Sequence, residues 1–179
     1  YPPHARALRV VIFDDARKAA PDALRPEAKV AAAYLGPMLA RRRAVEAGAD
    51  DVVLLDREGN VAEAPIANVF AVVAGALWTP PLGHILPGVT RDAVLALARA
   101  ERIPVREESM PPEALAAADE AFLAATSLPI APIGAVNGRT LGAAPGPITA
   151  RLAMRLAAAQ RGGEEAFRAW LTSVNAAPP

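Results

Sequence analysis

The sequence contains no cysteine, which excludes both a disulfide framework and a thiolate metal site. It also lacks an excess of either charge. Its 19 basic residues balance 19 acidic ones, so no net field favours nucleic acid or an anionic membrane as a partner. A small neutral or amphoteric ligand fits that balance better. No signal-like segment or apolar run of membrane length is present, and a cytoplasmic chain is expected by default. Histidine is limited to His4 and His84. An isolated imidazole is far more often structural or exposed than catalytic, so neither is taken as a site residue. Lysine is equally scarce: only Lys18 and Lys29 interrupt an otherwise all-arginine basic set. Biased codon usage is the bland explanation for that imbalance. An imine to an aldehyde cofactor, however, needs an amine that can lose its proton, and arginine cannot supply one.

The 179 residues can bury a sizeable core, and one domain is the default expectation. The β-branched run from Ala7 to Phe13 reads as a buried strand, preceded by a linker-like Tyr1-Pro2-Pro3. From Ala31 to Gly48 the leucines, Val45 and the alanines give a helical period, with Pro37 setting a kink or first turn and Gly48 closing it. A strand follows at Asp51 to Asp56 and one or two more at Val61 to Val73, joined by the turn Arg57-Glu-Gly-Asn60. A further short strand lies between Ala74-Gly75 and Thr79-Pro80-Pro81. The pattern then predicts a helix at Val89 to Ala100, a strand at Ile103 to Glu108, a short helix at Pro111 to Ala118, and strands at Glu120 to Ala125 and Pro129 to Val136. Helices at Gly146 to Gln160 and Glu164 to Leu171 complete it. Without repeats or low-complexity linkers, this order indicates a single α+β domain with a mostly antiparallel sheet core and helices packed around it.

Three separated features could converge on one site. Lys29 is followed five residues later by Tyr34, and Glu63 ends an apolar strand segment. An acid in that setting asks for a partner: a pyridoxal ring nitrogen would be one, while a solvent-facing position would remove the need. The segment Leu86-Pro-Gly-Val-Thr-Arg91 turns directly into a helix, whose start leaves N–H groups and a positive dipole end free for a phosphate. Val89, Thr90 and the Thr90 hydroxyl are the candidate donors, and Thr90 as an ordinary cap is the alternative. Ala124-Ala-Thr-Ser127 closes a strand with two hydroxyls, either a second arm of that cradle or simply a turn.

These residues, in this order and spacing, resemble the class IV, or fold-type IV, pyridoxal-phosphate-dependent aminotransferases. The resemblance is carried by Lys29-x4-Tyr34, Glu46-Ala-Gly48, Asp50-Asp51-x-x-Leu54-Leu55-Asp56, Val61-x-Glu63-x4-Asn68-Val-Phe70, Thr79-Pro-Pro81, Leu86-Pro-Gly-x-Thr-Arg91, Ala118-Asp-Glu120-x-Phe122 and Gly146-Pro147. That group includes branched-chain aminotransferases, D-amino-acid aminotransferases and 4-amino-4-deoxychorismate lyases. The resemblance implies pyridoxal 5′-phosphate as cofactor and Lys29 as the catalytic Schiff-base lysine. It further implies Glu63 at the pyridine nitrogen, Tyr34 at the phenolic oxygen, Asn68 in the cofactor's surroundings, and Val89, Thr90 and Thr126 at the phosphate. Ser127 falls where the family often binds a substrate carboxylate.

The fold implied is the large domain of the D-amino-acid aminotransferase type. Family members carry a smaller N-terminal domain before it, which is absent from residues 1–179. Residues 1–6 are expected to be the linker from it, and 161–179 a C-terminal helix and tail. The activity implied is amino-group transfer between an amino acid and a 2-oxo acid, in a homodimer. A lyase acting on aminodeoxychorismate and a non-catalytic cofactor-binding or dimerisation module remain open beside it. Branched-chain members usually show Gly after the glutamate and often Glu before the asparagine, where this chain has Ala64 and Ala67. The run Arg41-Arg42-Arg43 makes no single basic face, because consecutive helical residues point about 100° apart. Asp14-Asp15 and Asp50-Asp51, with no supporting His or Cys, are not read as metal ligands. No metal site is expected.

Overall fold

The computed structural model describes residues 6–173; His4, most of the expected linker at 1–6 and the end of the C-terminal tail lie outside them. The strands form one nine-stranded sheet. β1 (Leu8–Arg17) lies parallel to β2 (Asp51–Leu55) on one side. On its other side it lies parallel to β8 (Leu128–Val136). The centre is antiparallel: β8 pairs with β7 (Glu120–Ala125), β7 with β4 (Ala67–Val73), and β4 with β5 (Ala76–Thr79). β6 (Val105–Glu107) adds to β5 in parallel. Two short ribbons branch off, β3 (Glu63–Ala64) on β4 and β9 (Arg139–Thr140) on β8. The two-residue β9 carries no apolar alternation, so nothing in its sequence marks it as a strand.

Both sheet faces are covered, which explains the uninterrupted apolar runs of β2, β4 and β7. On one face, α2 (Val89–Ala100) and α4 (Pro147–Gln160) bury Val94, Leu97, Leu152 and Leu156 against Phe70 and Phe122. Those two rings are cross-strand partners in the β4–β7 register and stack with centroids 4.9 Å apart. On the other, the short helix α3 (Pro112–Ala116) brings Leu115 over Val69, Leu123 and Ile133.

The segment read as one helix from Ala31 to Gly48 divides into a 3-10 turn at Ala31–Tyr34 and α1 at Leu35–Glu46. Pro37 supplies the reason. An α-helix already running at Ala33 would drive its ring into the Ala33 carbonyl, whereas in the first turn of α1 its missing N–H costs nothing. Gly48, at φ +82°, closes α1 in the left-handed conformation. The leucines that set the helical period point outward, with Leu35 70% and Leu39 60% exposed, while Ala44 packs on β2. Arg41, Arg42 and Arg43 diverge to Asp51, Glu46 and Asp15. Of the four adjacent aspartates set aside as metal ligands, three pair with arginines, Asp15 and Asp51 in these contacts and Asp50 with Arg6. The last predicted helix is a 3-10 turn, Glu165–Trp170. Among the described residues, no helix is long and apolar enough to cross a membrane.

Candidate active site

The eight candidate residues come from five places in the fold, and all of them border one cleft of about 670 Å³. The loop after β1 brings Lys29. The 3-10 turn contributes half-buried Tyr34 from its last position. The β3–β4 ribbon carries Glu63 and Asn68, which face each other as a registered pair. Val89 and Thr90 open α2. Thr126 and Ser127 are the two-residue turn of the β7–β8 hairpin, between the paired Ala125 and Leu128.

Glu63 is the most constrained of them. Its side chain is buried, and an unpaired carboxylate there would be costly. Three donors surround it. Asn68 Nδ2 and the Leu86 backbone N–H donate to Oε2, each at 3.0 Å, and the Lys18 ammonium pairs with Oε1. Burial pushes the carboxyl above its usual range, while the Lys18 charge and the hydrogen bonds from Lys18 and Leu86 pull it back. The open question about Glu63 is thereby answered: it faces inward, among donors.

Lys18 is the residue that sequence reasoning missed. Like Lys29 it borders the cleft, so both lysines of the chain meet there. The signal was available, since the scarcity argument applied to Lys29 holds equally for Lys18. Its place at the end of β1, 45 positions from Glu63, concealed the pairing. Lys29 itself is exposed, and among the described residues its amine has no hydrogen bond or ion pair.

The start of α2 is open at its N-terminus. Its N-cap is Gly88, and no side chain caps it, so first-turn N–H groups remain free beside the cleft. Thr90 is buried and Val89 82% exposed. Gly88 is required by its neighbours: a Cβ there would lie 2.2 Å from Asn68 Oδ1. Asn68 Nδ2 also donates to the Leu86 carbonyl at 2.9 Å, so this amide ties the loop before α2 to Glu63. Gly88→Ala is therefore expected to displace Asn68 and destabilise the protein by about 1–3 kcal/mol, read by urea unfolding against wild type. Unchanged stability would show that the amide can move aside freely.

The cleft can offer a buried carboxylate at Glu63, whose Oε1 is paired with Lys18, free N–H groups at the start of α2 and an unpaired primary amine at Lys29. Those capacities match the donor set that pyridoxal phosphate needs.

Comparison with known proteins points the same way. Residues 1–136 match the model of the family described as amino-transferase class IV. The chain is 36% identical over 148 residues to the branched-chain-amino-acid aminotransferase of Pseudomonas aeruginosa, covering 82% of this chain and 48% of that protein. It is 38% identical over 149 residues to a probable branched-chain-amino-acid aminotransferase of Aquifex aeolicus, with the same coverage. Among solved structures, the branched-chain aminotransferase of Thermoproteus uzoniensis with norvaline aligns with a TM-score of 0.89 at 36% identity, over 93% of this chain and 56% of that one. The holo, pyridoxal-phosphate form of the Thermobaculum terrenum enzyme aligns at 0.90 and 34%, over 93% and 55%. The chain spans about half the length of the curated relatives it matches. These relatives bear the branched-chain name although the chain has Ala64 and Ala67 at the two departures noted above. By family match, fold and site geometry, the chain belongs to the class IV aminotransferases.

Proposed function

We propose that this chain is the cofactor-bearing part of an aminotransferase that moves an amino group between an amino acid and a 2-oxo acid. The observation that carries the reading is the convergence of Lys29, Glu63 and the uncapped start of α2 on one cleft. Pyridoxal phosphate, when bound, supplies the aldehyde that takes up the amino group and the ring that draws electrons from the substrate α-carbon. Lys29 would be its covalent anchor and, once an incoming amino acid has taken its place at the aldehyde carbon, its released amine would give or take a proton at that α-carbon. Glu63 would hold the ring nitrogen protonated, with Asn68 and Leu86 fixing its carboxylate. Val89, Thr90 and Thr126 would hold the phosphate, Tyr34 the phenolic oxygen and Ser127 the substrate carboxylate. The apolar walls at Pro37, Leu54, Pro65 and Ile66 suit a substrate with a hydrocarbon side chain. A homodimer is part of the same proposal.

The two lysines give a direct test. Protein incubated with pyridoxal phosphate, reduced with borohydride and digested should carry the phosphopyridoxyl mass on the peptide containing Lys29. A tag on Lys18, or none, overturns the anchor assignment. Turnover of an apolar amino acid with 2-oxoglutarate then tests the reaction itself.

A further inference from the structure

The loop that carries Leu86 and Gly88 also carries His84. Facing it, the turn between β2 and β3 carries Asp56 and Glu58. His84 Nδ1 lies 3.5 Å from Asp56 Oδ2 and 3.7 Å from Glu58 Oε2, and one donor atom from each residue falls within 4.8 Å of both others. Charge-assisted hydrogen bonds between nitrogen and carboxylate are shorter, about 2.7–2.9 Å. The three groups therefore sit together at ion-pair distances longer than a direct charge-assisted hydrogen bond. Metal–ligand bonds of about 2.1 Å in a tetrahedron place neighbouring ligand atoms roughly 3.4 Å apart, close to the two separations found here.

Asp56 supplies an independent observation. Its side chain is only 6% exposed. Oδ1 accepts the Asn60 N–H at 2.8 Å, while Oδ2, among the described residues, pairs with His84 Nδ1 at 3.5 Å. A carboxylate on a side chain this buried favours a cation beside it. The turn is held in advance: Asp56 N–H donates to the Asn60 carbonyl, and Arg17 Nη1 donates to the carbonyls of Asp56 and Arg57. A cavity of about 30 Å³ adjoins all three residues, room for one ion or water. Of the nearby cations, Arg17 is engaged with those carbonyls and Lys18 with Glu63, while Arg57 also borders the cavity.

We propose that His84, Asp56 and Glu58 form a site for one divalent transition-metal cation of the zinc type, clipping the β2–β3 turn to the loop before α2. One imidazole and two carboxylates leave the fourth position to water, and the imidazole selects against magnesium and calcium. Glu58 is the mobile ligand, 58% exposed, and would settle onto the ion as it binds. The inference does not depend on the cofactor reading.

Isothermal titration of the full chain with zinc chloride, free of chelator, tests it. One zinc per chain should bind in the micromolar range or tighter, raise the melting temperature, and weaken at least tenfold in both His84→Ala and Glu58→Gln. Both residues are at least partly exposed, so the variants should keep the wild-type circular dichroism and cofactor-free melting point. His4→Ala serves as control and should bind like wild type. No binding, binding that survives both variants, or binding lost only in His4→Ala overturns the proposal. In that case His84 is simply a polar partner of its two acids.

Discussion

Replacing Lys29 by alanine is expected to abolish the visible absorbance that wild-type protein gains with pyridoxal phosphate and to lower amino-group transfer by on the order of 10⁴-fold. The size of the loss follows from two roles meeting in one atom. Lys29 is exposed at the cleft and has no partner among the described residues, so its amine is available both as anchor and as proton carrier. No other group bordering the cleft can take over both. Lys18 is the other amine, but it is held by Glu63, and moving it to an aldehyde would strip a buried carboxylate of its cation. Since Lys29 is exposed, the alanine variant should keep the wild-type fold, measured by circular dichroism. A variant that still yields a reducible lysine adduct would transfer the anchoring role to Lys18. Glu63→Gln separates the remaining roles: it should still take up cofactor through Lys29 and yet turn over far more slowly, because an amide cannot hold the ring nitrogen protonated.

How much of this could be read from the chain depended on the range of the interactions. α2 and β7 have the bounds that their patterns indicated, Val89–Ala100 and Glu120–Ala125, because apolar periodicity and turn chemistry are local. Lys29, Tyr34, Glu63 and Thr90 could be singled out because their spacing repeats a known order, and the fold brings them to one cleft. Tertiary pairings were hidden. Nothing near Lys18 announces Glu63, nothing near His84 announces Asp56, and the parallel pairing of β1 with both β2 and β8 joins segments far apart in sequence. The 3-10 turn before α1 was half visible, since Pro37 marked a break but not its geometry. The outward turn of Leu35 and Leu39 was not visible at all, because a helical period says which residues share a face, not what covers that face.

The second large effect concerns Lys18 and is expected to depend on pH in a definite direction. Lys18 and Glu63 are 16% and 11% exposed, and removing one member of a buried pair typically costs about 3–5 kcal/mol by leaving the other charge uncompensated. Lys18→Met keeps most of the side-chain volume and removes only the charge. Glu63 retains two N–H donors and can take up a proton, which places the expected loss for the cofactor-free protein near the lower end, about 3 kcal/mol at pH 7.5. The sign follows from linkage. The folded Glu63 carboxyl already lies above its ordinary value through burial, with Lys18 opposing that shift. Between the unfolded and folded values the native state binds the extra proton, so this group's contribution to stability is present at low pH and is lost as pH rises through the folded value. Without Lys18 the folded value moves higher, and the loss extends over a wider window toward neutrality. Urea unfolding of wild type and Lys18→Met should therefore diverge from the ordinary carboxylate range upward and converge below it, where Glu63 is protonated in both. A penalty that stays constant from pH 4 to pH 8 would mean that Lys18 acts through packing of its aliphatic stem. Lys18→Arg provides the complementary measurement. It keeps the charge and should recover most of the stability while forming no adduct, thereby distinguishing the cation at Glu63 from the amine that holds the cofactor.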